Sequence, residues 1–351
     1  MSELKAMIEQ SVMRLFEDQI DRDFMVAVEE QGFPHEFWQT IEELGIDRIL
    51  AGEESGGMDG TWRDCYPVIR ACGLYGVPLP IPEVIAGHWL MHAAGIASRD
   101  GLPAVLVDSL PAADDQEEIH APAQRVPWGR EAAYFVGLQP SANGVDAVLL
   151  DRTEATINTD QNLAYDPRDS VSFSKAKVAA RAPVKLPADA LRWVMAMMRS
   201  AQIAGAGSAC LKLGLDYTSE REQFGRPLAR FQAIQHHLAN MSGELATVEA
   251  MSASAFESMD QNGLGSADEN TTKFDIAAAK CRASDAVEPL TKIGHQVHGA
   301  IGFTYEYGLH FLTRRLWSWR AEFGGSGEWA RYLGKVAVTA GGDGIWAVIT
   351  E

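Results

Sequence analysis

The sequence predicts a mainly α-helical protein with a small β domain inserted between two helical regions. Three observations predict it. Leu15 and Phe16, then Phe37, Trp38, Ile41 and Leu44, recur at helical spacing within residues 1–97. Short β-type runs with turn clusters between them fill the middle of the chain. Beyond Pro187, Phe231, Ile234, Leu238, Met241, Leu245 and Val248 step by alternating threes and fours, the seam of a helix in a bundle.

The order of elements follows from local chemistry. GEESGGMDG (52–60) is glycine-rich but lacks a preceding strand and a GxxxxGK pattern, so it reads as a turn between helices. AVLVDS (104–109), AAYFVGL (132–138), DAVLLD (146–151) and VSFSKAKV (171–178) read as strands, separated by PSANG and YDPRD. Residues 188–218 form a helix whose AQIAGAGSAC stretch permits close approach of a neighbour. QNGLGS (261–266) is a short linker, 268–298 a further helix that Pro289 is expected to kink, and 305–319 and 328–339 two shorter ones. The expected domains are 1–100 (helical), 101–186 (a short β domain) and 187–351 (a four-helix bundle).

Composition narrows the function. With 351 residues and 46% hydrophobic content the chain can bury a large core. No run of 18 apolar residues occurs, and the charged N-terminus has no signal-peptide core, so a cytoplasmic protein without a membrane span is expected. A net charge of −18 opposes binding to nucleic acid and anionic membranes. A phosphate-bearing ligand would need local cations, and two clusters stand out: Arg221, Arg226 and Arg230, then Arg314, Arg315 and Arg320. Cys65, Cys72, Cys210 and Cys281 form no close pair and read as core thiols, with no metal site.

Two stretches carry chemistry. The first is R-x-x-F-G-x-x-x-x-x-x-Q, formed by Arg221, Phe224, Gly225 and Gln232. The second is Q-x-H-G-A-I-G-F-T at 296–304. Arginine forks two donors onto a pyrophosphate, glutamine both donates and accepts, and Gly299 lets backbone approach a dinucleotide. Together with FWQTIEELGIDRILAGEESGGMDG near the N-terminus, the chain resembles the acyl-CoA dehydrogenase family over nearly its whole length. The resemblance implies FAD shared between subunits. Arg221, Phe224, Gln232, Gln296, Gly299 and Ala300 would meet the nucleotide end of a neighbour's cofactor; Ala300 stands where relatives usually carry a second glycine. It also implies an acyl-CoA substrate and an electron-transfer flavoprotein or similar acceptor. His298 is expected to be a core or interface residue.

The family's catalytic carboxylate is missing. Gly324 occupies one usual position for the base and Met195 the other. Glu322 and Glu328 flank the gap and read as solvated helix-end acids, with Glu322 the only alternative base. No T-E-x-x-x-G-S-D-like loop lies between Gly101 and Pro183, so the β domain is not expected to hold the flavin ring. This pattern is similar to the base-less subunit of bacterial heteromeric (α₂β₂) acyl-CoA dehydrogenases that degrade steroid side chains and other bulky acyl-CoA esters. A full-length partner subunit would supply the base and the ring site. The alternatives are a self-sufficient flavoenzyme of the same fold and a non-enzymatic scaffold.

Overall fold

The structure is a computed structural model that describes residues 3–112, 118–305 and 307–350. Five helices open the chain: α1 (Glu3–Gln19), α2 (Arg22–Gln31), α3 (His35–Glu43), α4 (Trp62–Leu74) and α5 (Ile81–Ala93). The 52–60 segment is the turn between α3 and α4, with Gly56 left-handed at φ 73°. Thr61 and Asp64 cap α4 reciprocally, and Asp260 accepts the next two backbone N–H groups at 2.7 and 2.8 Å, tying this helix to the bundle.

Six strands follow: β1 (Pro103–Leu106), β2 (Glu118–Pro127), β3 (Tyr134–Ser141), β4 (Gly144–Asp151), β5 (Ala155–Asn158) and β6 (Arg168–Val184). Their order is β1-β3-β4-β6-β2, with β5 also on β6; β1 and β3 are parallel and the other pairs antiparallel. The 17-residue β6 pairs with β4 at one end and with β2 and β5 at the other. The sheet thereby curls around Leu106, Ile119, Val126, Phe135, Val148, Val171 and Phe173. The four expected strands are β1, β3, β4 and β6; β2 and β5 were not expected.

The rest is helical: α6 (Ala190–Glu220), a two-strand hairpin β7 (Glu222–Gln223) and β8 (Arg226–Pro227), then α7 (Gln232–Gln261), α8 (Glu269–His298), α9 (Leu309–Ala321) and α10 (Ser326–Thr350). α8 continues through Pro289, and α10 contains a non-helical Gly341. The first turn of the helix expected at 305–319 includes residue 306, which lies outside the described residues.

Seam residues Leu238, Met241, Leu245 and Val248 are buried against Ile203, Ala206, Val287, Leu290 and Leu316. Small residues let α6 approach its neighbours: a Cβ on Gly205 or Gly73 would meet the opposing backbone at 2.0 Å. A second core joins the N-terminal helices to the sheet and the start of α6 through Trp38, Ile69, Val105, Tyr134, Val136 and Met195. Cys65, Cys72 and Cys210 are buried free thiols, and Cys281 is half-buried. No helix among the described residues is long and apolar enough to cross a membrane.

Candidate functional site

Two places collect the chemistry-bearing residues, at opposite ends of α6. The first is a cavity of about 670 Å3 between the sheet and the bundle. Val107, Ala123, Pro127, Leu163, Trp317 and Phe323 give it apolar walls; Arg125, Arg168, Arg192, Asp108 and Glu322 give it charge. The turn from α9 into α10 supplies its floor, since Glu322 takes extended φ/ψ as the C-cap of α9.

Glu322 is not a solvated helix-end acid. It accepts from Arg168 Nε at 2.8 Å, Arg168 Nη2 at 3.3 Å, Arg199 Nε at 2.8 Å and Asn162 Nδ2 at 3.3 Å. Arg199 also pairs with the buried Glu83 and with Gln202. Burial alone would raise the Glu322 pKa, but Arg168 and then Arg199 override it and hold the carboxyl far below its ordinary range. A carboxylate held this way takes up a proton poorly and so makes a poor general base. Glu328 is exposed as expected, and pairs with Arg192.

The two positions at which the sequence resemblance would place a base, Met195 and Gly324, are closed in different ways. Met195 is fully buried in the core that joins the N-terminal helices to the sheet. Gly324 lines the cavity at φ 101°, and a Cβ there would lie 2.7 Å from Trp329 Nε1. The carbonyl of Gly324 accepts from Lys280 Nζ at 2.9 Å and Trp329 Nε1 at 3.1 Å. Lys280 also donates to the Ser284 hydroxyl and to the carbonyls of Trp319 and Arg320, which fixes the end of α9. Burial pushes its ammonium down to about 7.

On the sheet side, the loop after β1 satisfies itself. Gln124 accepts from the Asp108 N–H at 3.0 Å and donates to the Asp108 carbonyl at 2.9 Å. Residues 113–117 of this loop lie outside the described residues, so the expected lack of a ring-holding motif rests there on sequence.

The second place is the far end of the bundle. The end of α6, the start of α7 and the end of α8 meet there because the three helices run alternately up and down. Arg192 and Arg221 are 29 positions apart along α6 and its C-cap, which places the two ends about 43 Å apart. Arg221, Gln232, Gln296, Gly299 and Ala300 are all exposed at this end.

Phe224 and Gly225 form the turn of the β7–β8 hairpin, with φ of 54° and 77°. Such turns favour Asn-Gly, because two successive positive φ values suit small residues. Phe224 carries that strain while 92% exposed, a double penalty that packing within this chain does not offset. Arg226 lies over the Phe231 ring at 4.1 Å. Among the described residues, none of Arg221, Arg226 and Arg230 enters an ion pair. The other arginine cluster is committed within the fold. Arg315 pairs with Asp166 at 2.7 Å while fully buried, Arg314 with Glu29 at 2.6 Å, and Arg320 lies over Trp317.

Behind the rim, His298 is buried and stacks on Tyr217 at 5.0 Å, the core position expected for it. His295 stacks on Phe303, and His310 packs on Tyr305 and Phe311. Burial, the largest cause, lowers the pKa of all three imidazoles, His310 down to about 4. They support the segment from Gly299 to Phe303.

This rim fits the nucleotide end of a dinucleotide. The first turn of α7 has no side-chain cap; the Ile234 N–H bonds back to the Phe231 carbonyl, which leaves the Gln232 and Ala233 N–H groups available to an anion beside three arginines that enter no ion pair among the described residues. A Cβ built on Gly225 or Gly299 meets nothing within 4 Å, so the approach is open. Arg168, Arg199 and Glu322, which tie the cavity together, carry no motif. They are 154 and 123 residues apart in sequence, and only the fold unites them.

Residues 191–333 match the family "Acyl-CoA dehydrogenase, C-terminal domain". The chain is 24% identical over 300 residues to the acyl-CoA dehydrogenase IpdE2 of Mycobacterium tuberculosis, covering 82% of this chain and 81% of that one. Its fold superposes with a TM-score of 0.82 and 19% identity on the ChsE4-ChsE5 complex from Mycobacterium tuberculosis, over 95% of this chain and 97% of that one. A variant of the Tcur3481-Tcur3483 steroid ACAD superposes with the same score, identity and coverage. Residues 191–333 thus carry an acyl-CoA dehydrogenase C-terminal domain, and the course of the rest of the chain is matched in fold.

Proposed function

We propose that this chain is a subunit of a heteromeric FAD-dependent acyl-CoA dehydrogenase, contributing to a partner's nucleotide site and lacking a catalytic base of its own. The observation that carries this reading is the state of Glu322. The one carboxylate lining the floor of the cavity is bound to two buried arginines, and the family's base position is a glycine with no room for a side chain. Asp108, the other acid in the lining, stands exposed on the sheet side, away from that position. The chemistry FAD would supply is acceptance of the hydride leaving the acyl β-carbon.

This chain's part is positional. Arg221 donates two parallel hydrogen bonds to a pyrophosphate, the open N-terminus of α7 adds backbone donors, and Gln232 and Gln296 fix the nucleotide's orientation. Phe224 offers an apolar face at the subunit junction. The rim lies too far along α6 from this chain's own cavity for one dinucleotide to span both, which supports a cofactor seated mainly on another chain. Segments 1–100, 101–186 and 187–351 act as the helical, β and bundle domains. The two solved relatives whose names carry paired chains, one of them a steroid ACAD, support a hetero-oligomer, α₂β₂ in form, acting on a bulky acyl-CoA thioester. Electrons would leave through an electron-transfer flavoprotein or a similar acceptor.

Expression of the chain alone and together with a full-length relative tests the reading. The chain alone should purify without flavin absorbance and without dehydrogenase activity, and co-expression should restore both. Dehydrogenation by the chain alone would overturn it.

A further inference from the structure

Three imidazoles behind the rim hold no nucleotide, yet all of them lie against one segment. His295 and His298 stand one turn apart at the end of α8, and His310 lies in the first turn of α9. Between them Gly299–Phe303 forms a short 3-10 turn that leads into Thr304 and Tyr305. The segment's aromatic rings are mostly in water, Phe303 at 69% exposure and Tyr305 at 53%. Each leans on an imidazole: Phe303 stacks on His295 at 4.3 Å, and Tyr305 packs on His310 at 4.5 Å. Gly302 is buried so closely that a Cβ would lie 3.0 Å from His298 Cβ and 3.4 Å from His295 Nδ1.

The surroundings of these rings oppose a proton. His295 Nδ1 is buried without a hydrogen-bond partner, while its Nε2 meets the Thr313 hydroxyl at 3.0 Å. Among the described residues no carboxylate pairs with any of the three; the two histidines that do meet an acid are His88 and His92. The charges that face them are cationic. Arg314 and Arg315 of α9 lie beside His310, and each ring, once charged, repels its neighbour. Glu29 and Asp166 are taken up by those two arginines, and Asp216 and Glu220 of α6 face Tyr307. The Gly294 and Leu213 carbonyls beside His298 and the Thr304 carbonyl beside His310 favour the charged rings, but burial outweighs them. An imidazolium against an aromatic face recovers only part of that cost.

We infer that the three histidines form an acid-released clasp: as they take up protons, Gly299–Tyr305 lifts from the end of the bundle and the rings become hydrated. The lifted rings titrate near their ordinary 6.5, the closed ones lower, His310 at about 4. The lifted state therefore binds protons first, so closure is complete above about 6.5 and weakens as pH falls through that interval. At pH 5 His310 alone raises the lifted fraction about 30-fold. The segment carries Gly299 and Ala300, so acid also loosens the grip on a nucleotide, a consequence that rests on the function proposed above.

Peptide-resolved hydrogen exchange on the full chain, corrected for the intrinsic effect of pH, tests the clasp. The Gly299 and Thr304 N–H groups, which donate to the His295 and Ile301 carbonyls, report on the segment. Between pH 7.5 and 5 their exchange should accelerate about 30-fold or more, while the α7 seam around Leu245 stays protected. His310→Gln should remove most of the acceleration. Proton NMR of the wild-type imidazoles needs no variant, and at least one ring should titrate well below 6.5. Unchanged protection at pH 5, undiminished acceleration in His310→Gln, or three rings titrating near 6.5 would overturn the clasp. None of these readouts involves flavin, so they stand apart from the co-expression result. In the reconstituted complex, FAD loss at pH 5 that His310→Gln does not slow would overturn the consequence for the nucleotide.

Discussion

Replacing Glu322 by Gln separates a structural role from a catalytic one. The carboxylate is held by Arg168 and Arg199, with its side chain 17% exposed. The amide keeps the size and one acceptor oxygen but removes the charge. Arg199 would retain the Glu83 carboxylate; Arg168 would retain only neutral hydrogen-bond acceptors, the amide oxygen and the Pro167 carbonyl at 2.8 Å. One buried guanidinium is thus left without a carboxylate, and breaking a buried pair in this way costs about 3–5 kcal/mol. Urea unfolding at neutral pH should show that loss.

The pH dependence carries a sign. Glu322 has a folded-state pKa depressed below its ordinary 4.5, so its stabilisation is complete above that value and fades as pH falls toward the folded value. The gap between wild type and Glu322→Gln should therefore be constant from neutral pH down to about 5 and close at lower pH. An unchanged unfolding midpoint, together with lost dehydrogenase activity in the complex, would refute the structural role and restore Glu322 as a base.

Other outcomes follow from the same geometry. Gly324→Glu should not restore activity: the left-handed backbone costs a side chain about 1–2 kcal/mol and the Trp329 ring must move, so a lower melting temperature is the expected result. Arg221→Ala in the reconstituted complex should weaken FAD binding roughly 10- to 100-fold, the worth of one or two charge-assisted hydrogen bonds. The melting point of the isolated chain should stay the same, because Arg221 is exposed. His310 has a folded pKa lowered from 6.5 to about 4, so the unfolded chain binds a proton first and stability falls as pH drops through that interval; His310→Gln should flatten the slope there.

Much of the helical architecture was legible because it rests on local periodicity. The α7 seam from Leu238 to Val248 is buried as its spacing implies. Strand β2, EIHAPAQRVP, was missed because two prolines and two register shifts break its alternation, so its burial pattern has no clean period of two. Strand β5 is only four residues long and gains its order from pairing with β6. At the site, one motif lies in the hairpin between α6 and α7 and the other at the end of α8, and the up-and-down course of the bundle brings the two to the same end. The environment of Glu322 was not legible, since its arginines come from β6 and from the middle of α6. The Arg314–Arg315 pair misled for the same reason, as Glu29 and Asp166 are remote in sequence.

Flavin stoichiometry tests most directly where the coenzyme of the proposed complex sits. In a complex purified with its full-length partner, one FAD for each pair of chains is expected, with none retained by this chain when the two are separated. One FAD bound by each copy of this chain in isolation would contradict it.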